Sequence, residues 1–513
     1  MAHNGVMAFC AALALAITLF AQSALAQSLA PPPWVKQGGI VNLASRFPSS
    51  LPGGALAPRA LIEIEGIRFH PADLSVEIEA QGKVYQATII RATSDHIVVR
   101  LPDFAYKGAA RLFVQSDGKR SVGSDIRLAP AAYGILQSET PVVTAAGRVT
   151  LSGTGLGHTQ DSAIEVVVAG RRATHVKRAE QGEFEQVAFD LPAGTPEGCA
   201  VPVFVVAGGL TSNTELMKLG ACATGGRTGT VVLMRSDAVL ELAPGKTVPF
   251  RVDSVAATFE RRRDPKDPDP LDLIPPAGAC ASWAGAFDSN TFVLPSLIGG
   301  ADTTVDLGPD LEQRTSSVDD LDAGPELTLA GPAGIRHIRR APRRPRAYTV
   351  MLGGNPPLTR IPPSPPYLAP GPYRIEIPGG TDVGPASVDL TIPEAVVWRN
   401  RESTRVLDRK SGADLEGSVP PGYRALVFAW NIDRRTGTAG VAVCAASPGA
   451  TRFRIPGLAL ANFPATRVGA SDLSLGFLGV AAIPNEPGTI HARGLGRSRV
   501  VAASLSGRSV VVK

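Results

Sequence analysis

Six arginines, Arg336, Arg339, Arg340, Arg343, Arg344 and Arg346, form the densest charge cluster of the chain. Planar guanidinium groups at that density can hold phosphate or sulfate. No aromatic residues are interleaved with them to stack on bases, so nucleic acid is not expected. An acidic surface polymer, lipid headgroups or another extracellular protein would suit such a cluster; the plainer reading is a solvated hairpin tip between two strands. Asp264, Asp267, Asp269 and Asp272 gather carboxylates of the kind a hard cation such as calcium wants. The interleaved prolines spoil the usual calcium-loop geometry, and the segment reads as a solvated loop rather than a metal site. The 7 histidines include no H-E-x-x-H pair and none beside a C-x-x-C. Gly153-Thr-Gly-Leu-Gly157 superficially resembles a dinucleotide fingerprint, but His158 stands where the last glycine belongs and no helix pattern follows. With no G-x-S-x-G elbow and no phosphate loop, the chain nominates no catalytic residue and no cofactor. Trp283, Trp398 and Trp430 are too scattered to announce a sugar platform, and Trp430 closes an apolar run that reads as core.

Cysteine chemistry depends on the compartment. The opening MAHNGVMAFC AALALAITLF AQSALA carries an apolar run from Val6 to Phe20 and then Ala24-Leu25-Ala26, which reads as a cleavable signal peptide over residues 1–26. It lacks the usual Lys or Arg ahead of the apolar run. Cleavage would leave Gln27 first, and no other window holds the roughly 20 apolar residues a spanning helix needs. The expected destination is secreted or cell-surface. Removal of the leader takes Cys10 and leaves Cys199, Cys222, Cys280 and Cys444 in an oxidising compartment. Four cysteines allow three connectivities. A hairpin around Gly208-Gly209 favours Cys199 with Cys222, which leaves Cys280 with Cys444; free buried thiols are the alternative.

The elements that must position these residues are strands. Gly 54 and Pro 44 punctuate apolar alternations along a chain that is 44% hydrophobic, the texture of many short strands. The net charge of +5 is modest at 513 residues and selects no partner. A repeat of roughly ninety residues emerges when the chain is slid against itself. Ile62-Glu-Ile-Glu-Gly66 matches Val149-Thr-Leu-Ser-Gly153, and Val76-Glu-Ile-Glu with Gln81-Gly82 matches Val166 to Val168 with Ala169-Gly170. His96 to Pro102 matches Gln186 to Pro192, and Leu112-Phe-Val with Ser121 matches Val203-Phe-Val with Ser212. Two copies of one sandwich are therefore expected over 37–132 and 137–222.

Gly153 to Gly157, Ala169-Gly170, Leu191-Pro-Ala-Gly-Thr-Pro-Glu-Gly-Cys199 and Gly208-Gly-Leu-Thr-Ser-Asn213 resemble the IPT/TIG type of immunoglobulin-like domain, as repeated in secreted proteins of soil bacteria. Val41-Asn42-Leu-Ala-Ser45 and Leu56-Ala-Pro58 resemble the opening of the same module. The likeness covers about residues 37–222 and implies an extracellular immunoglobulin-like fold without catalytic residues. The first copy departs from it, with no equivalent of Cys199 and with Asp103-Phe-Ala-Tyr106 in place of Ala193-Gly-Thr-Pro196.

Beyond Thr224 the alternate prolines of Arg261 to Pro270 exclude helix and central strand. Strand patterns return at Leu327-Thr-Leu, Tyr348 to Leu352, Tyr373 to Ile377 and Val388 to Ile392, giving a β unit over 225–395. Ala425 to Trp430, Gly440 to Cys444 and Val510 to Val512 define a second over 396–513, where only Leu458 to Phe463 reads as a helical turn. The expected fold is all-β: tandem immunoglobulin-like sandwiches followed by further antiparallel domains. The expected role is a non-enzymatic structural or interaction protein with spacer domains. A polysaccharide-binding accessory protein and a hydrolase with its site in 225–513 are the alternatives.

Overall fold

The computed structural model describes residues 31–136, 142–143, 147–220, 222, 226–243, 245–263, 270–286, 318–341, 344–355, 362–466 and 474–513. The stretch expected to be a signal peptide, residues 1–26, thus lies outside the described residues. The described chain is all-β: its strands form two sandwiches, a larger distal sheet and a three-stranded sheet of Val397–Trp398, Gly412–Ser418 and Arg452–Pro456. One four-residue α-helix, Gly457–Leu460, occupies the stretch expected to turn helically.

The first sandwich sets a sheet ordered Trp34–Asn42, Leu61–Ile67, His96–Arg100, Thr88–Ala92 against one ordered Lys83–Gln86, Leu74–Ala80, Gly108–Ser116, Lys119–Arg120. The second repeats the plan strand for strand, with Arg148–Thr154 and Phe184–Asp190 central in one sheet and Ile164–Val168 beside Gly198–Ala207 in the other. This is the strand order of immunoglobulin-like domains. Alternation explains both cores. Ile62, Ile64, Val76, Ile78, Ile97, Val99, Leu112 and Val114 fill the first. Val149, Leu151, Val166, Val168, Val187, Phe189, Val203 and Val205 fill the second at the equivalent positions. Each such side chain contributes about 1.5–3 kcal/mol of burial. The repeat extends to polar detail. Ser121 Oγ accepts the Val114 N–H at 2.9 Å, and Ser212 Oγ accepts the Val205 N–H at 2.9 Å.

Distal to these, one sheet runs through both of the units expected over 225–395 and 396–513. Its long strands Gly226–Ala243 and Lys246–Arg262 form a hairpin, and Arg499–Val512 joins the first of them in parallel, Thr230 opposite Arg499 through Val239 opposite Arg508. That parallel pair departs from the purely antiparallel expectation. Val500-Val501-Ala502-Ala503 is apolar on both faces, as a doubly covered strand requires. Two cores lie on one side of the shared strands. Phe259, Tyr348, Tyr367, Tyr373 and Ile375 belong to one, and Trp398, Leu415, Val427, Phe453 and Leu478 to the other. A third, with Val232, Phe428, Phe477, Val501 and Leu505, covers the opposite face.

Candidate functional site

Arg336, Arg339 and Arg340 lie within the strand Gly334–Ala341, and Arg344 and Arg346 begin the strand Arg344–Asn355; Arg343 lies outside the described residues. The two strands pair as a hairpin with Ala341 opposite Arg344, so most of the cluster is strand and only residues 342–343 lie between, a narrower tip than expected and with a clear cause. Ile338 is fully buried, and its alternation with cations hides the apolar period. On the face of Ile338, the Arg336 guanidinium sits 5.1 Å from the Tyr367 ring centre. Arg340 donates to Tyr348 Oη at 3.0 Å and to the Asp322 carboxylate. Arg339, on the other face, reaches Glu326 at 3.4 Å and stays 84% exposed; Arg336 is exposed as well, and of the three only Arg340 is half-buried.

The glycine-rich turn is an anion nest that the protein fills itself. Glu185 Oε2 accepts the backbone N–H groups of Gly155 at 2.6 Å and Leu156 at 2.9 Å. Gly155 has φ +106°, and a Cβ there would strike the carbonyl oxygen of Ala132, which only glycine avoids. His158 and His175 are exposed, each 2.6 Å from a single carboxylate, Asp103 and Asp190 respectively. Among the described residues no group of three or more His, Cys, Asp or Glu could hold a metal ion. Asp264, Asp267 and Asp269 lie outside the described residues. Asp272, expected in a solvated loop, is instead only 10% exposed, in the 3₁₀ turn Pro270–Leu273. Arg499 and Arg497 hold it at 2.9 and 3.2 Å, because a carboxylate leaving water needs a cation within reach.

Asp272, Arg497 and Arg499 line a cavity of about 220 Å³ together with Arg424. The strand Tyr423–Asp433 sets Arg424 opposite Ile483, and the cystine at Cys199 forms part of the wall. Disulfides join Cys199 to Cys222 and Cys280 to Cys444, the latter two directly opposite each other on adjacent strands. Nothing in the sequence singled out Arg424, Arg497 or Arg499, since strands distant in the chain converge to make the cavity.

The distal sheet also brings Trp283 and Trp430 together, contrary to their scatter in the chain. Trp283 lies opposite Val441, Val441 opposite Trp430, and Trp430 opposite Phe477, all in one row. Trp430 and Phe477 stack at 5.6 Å with planes 12° apart, and Phe428 stacks on Phe477 at 5.9 Å. Gly479 makes room: a Cβ there would lie 2.5 Å from Phe428 Cζ. Trp398 belongs to another core, 7% exposed.

Buried asparagines stitch the fold, two of them between bodies and one within the second sandwich. Asn42 Nδ2, from the first sandwich, donates to Thr154 O at 3.2 Å in the second, while its Oδ1 accepts the N–H of Ala44 at 2.9 Å. Asn213 exchanges both bonds with Ile135, at 2.7 and 2.9 Å. Asn462 joins all three bodies. Its Oδ1 accepts the Gly53 N–H at 2.8 Å, and its Nδ2 donates to Thr211 O and Ser212 O, each at 3.0 Å. Asn42 and Asn213 fall in the segments that resemble the IPT/TIG module, whereas a lone asparagine after an apolar helical turn gives Asn462 no signal.

No family model matches the chain, and no curated protein does. Among solved structures, a tetra-tandem repeat from the extending region of a large adhesion protein aligns over 93% of this chain and 99% of its own at 11% identity, TM-score 0.15. A surface glycan-binding protein from Prevotella bryantii aligns over 36% and 42% at 11% identity, TM-score 0.15. Domains 5-6 of the S-layer protein SbsC align over 37% and 100% at 11% identity, TM-score 0.18. At these scores neither a common superposition nor a role transfers to this chain. Among the described residues no helix is long and apolar enough to cross a membrane.

Proposed function

We propose that the chain is an exported, non-enzymatic interaction protein of the cell surface or its surroundings. In this reading a leader over 1–26 is removed, two immunoglobulin-like domains of the IPT/TIG type over 37–132 and 137–222 act as a fixed spacer, and the β units over 225–395 and 396–513 present the binding surface. The observation that carries it is Asn462, whose one amide satisfies backbone groups of both sandwiches from the distal body. An unsatisfied buried donor or acceptor costs about 1–3 kcal/mol, so the three-way joint resists opening. Two disulfides fit an oxidising compartment. The cavity offers one carboxylate, Asp272, already held by two arginines, which is poor equipment for hydrolysis. The test is small-angle scattering of residues 27–513. One rigid envelope is expected for the native chain and a broadened set of shapes for Asn462→Ala; a native chain that already requires many orientations would sink the spacer reading.

A second reading, binding to polysaccharide, is favoured by Trp283 and Trp430, both half-buried at the margin of the core that contains Phe477, since flat aromatic rings at a sheet face suit sugar stacking. Tryptophan fluorescence titrated with neutral and acidic polysaccharides decides it: a saturable change lost in Trp430→Ala supports the reading, and a flat response to all of them removes it.

A further inference from the structure

The arginine-lined cavity holds an unbalanced charge. Asp272 is its single acid, and Arg499 and Arg497 both engage it, at 2.9 and 3.2 Å. Arg497 is 47% exposed and so remains solvated, whereas Arg499 is 10% exposed and matched by the equally buried Asp272. Arg424 has no such partner. Among the described residues no carboxylate pairs with it, and its buried Nε makes no hydrogen bond. Burial pulls its proton affinity below the usual guanidinium value, with no neighbouring charge acting in the other direction. A half-buried guanidinium with its Nε cut off from water and no counter-ion is an unfavourable arrangement, and one that an incoming anion would offset.

The rest of the cavity limits what that anion can be. Arg424 shares its sheet face with Leu426 and Phe428, and Leu271, Ile274, Ile483 and Val501 supply apolar walls. Such walls leave the hydroxyls of a sugar unsatisfied, which a binding site penalises strongly. At about 220 Å³ the space falls below the roughly 300–1,000 Å³ of drug-sized sites, so the occupant is of single-ring or single-residue size. A planar guanidinium fork matches a carboxylate, and Asp272 would repel a second negative charge. We propose that this cavity binds a small monocarboxylate, its carboxylate on Arg424 and its apolar body against Leu271, Ile274, Ile483 and Val501. The acid could be free or could terminate a longer chain; the chemistry at Arg424 is the same.

The proposal stands apart from the spacer reading, because the cavity exists whether or not the joint is rigid. It is tested by calorimetric titration of residues 27–513 with benzoate, 3-methylbutanoate, benzamide, glucuronate and a short peptide ending in a free leucine carboxylate. Saturable binding of benzoate or 3-methylbutanoate, at least tenfold tighter than benzamide, is expected. Arg424→Met should weaken that binding tenfold or more, while Arg339→Met leaves it unchanged. Ligand-free Arg424→Met should melt at the same temperature as the native chain or higher, since an unmatched half-buried charge has gone, which separates loss of the site from loss of the fold. Binding of the peptide as well would mark a chain-terminal carboxylate as the source, and failure of the peptide alone would mark a free acid. Equal binding of benzamide, retained binding in Arg424→Met, preference for glucuronate over both apolar acids, or silence from every acid would each overturn the proposal.

Discussion

Glu215 opens the strand Glu215–Leu219 at the seam between the second sandwich and the distal body, directly after Thr214, whose hydroxyl meets Ser282 Oγ at 3.3 Å. Burial pushes its carboxyl up to about 7, and the N–H of Leu216 offsets only part of that. In the unfolded chain the same group titrates near 4.5. Between those two values the folded state binds more protons than the unfolded one, so stability is highest at and below 4.5 and declines as pH rises through 7. At about 1.4 kcal/mol per pH unit the full interval corresponds to about 3.4 kcal/mol above pH 7. The carboxyl keeps some contact with water, which reduces this to about 1–2 kcal/mol. Glu215→Gln abolishes the titration while keeping the shape. Urea unfolding of both chains from pH 4.5 to 8.5 isolates the effect, because every other titrating group is common to the pair. The variant should match the native chain at pH 4.5 and exceed it by about 1–2 kcal/mol at pH 8.5. A stability difference that is flat across this range, or that grows toward acid, would refute the reasoning.

At Gly53 a Cβ would meet Asn462 Oδ1 at 2.5 Å and Thr211 O at 2.7 Å, so Gly53→Ala should pry the joint open, lowering stability by about 1–3 kcal/mol in urea titrations and speeding proteolysis between the bodies. Replacing Cys280 and Cys444 together by alanine should cost about 5 kcal/mol against about 3 for Cys199 and Cys222, because the closed loops span 164 and 23 residues; equal losses in denaturant melts would contradict the chain-entropy account. Ser121→Ala and Ser212→Ala should each lower stability by about 1–2 kcal/mol by leaving the N–H of Val114 or Val205 unpaired, and the two losses should add when combined.

The sandwiches were legible because their cores are written locally. Ile62 and Ile64 alternate with Glu63 and Glu65 within one strand, and the same alternation recurs at Val149 and Leu151, so period and repeat reinforce each other. The hairpin turns were legible for a similar reason: Gln81-Gly82 and Ala169-Gly170 both adopt positive φ, the conformation a tight two-residue turn demands. The distal sheet was not. Its strand Gly334–Ala341 carries as many arginines as apolar residues, and Arg336 and Arg340 fold back over Tyr367 and Tyr348 from later segments of the chain. Period alone assigns such a segment to solvent.

What escaped the sequence altogether is the class of residue whose role exists only across strands. Arg424 becomes an unmatched charge because Asp272, arriving from a distant turn, is claimed by Arg499 and Arg497. Asn462 becomes a three-way clamp because Gly53 has no side chain and Thr211 and Ser212 turn their carbonyl groups toward it. In both cases one polar group is buried where three segments converge, but the outcomes are opposite. The Asn462 amide has its oxygen and both amide hydrogens engaged, so it contributes rigidity and leaves nothing for a ligand. Arg424 retains unmet charge beside an open volume, so it weakens the empty protein and favours an anion. A complete set of partners thus marks the joint, and an incomplete one marks the place to look for a ligand.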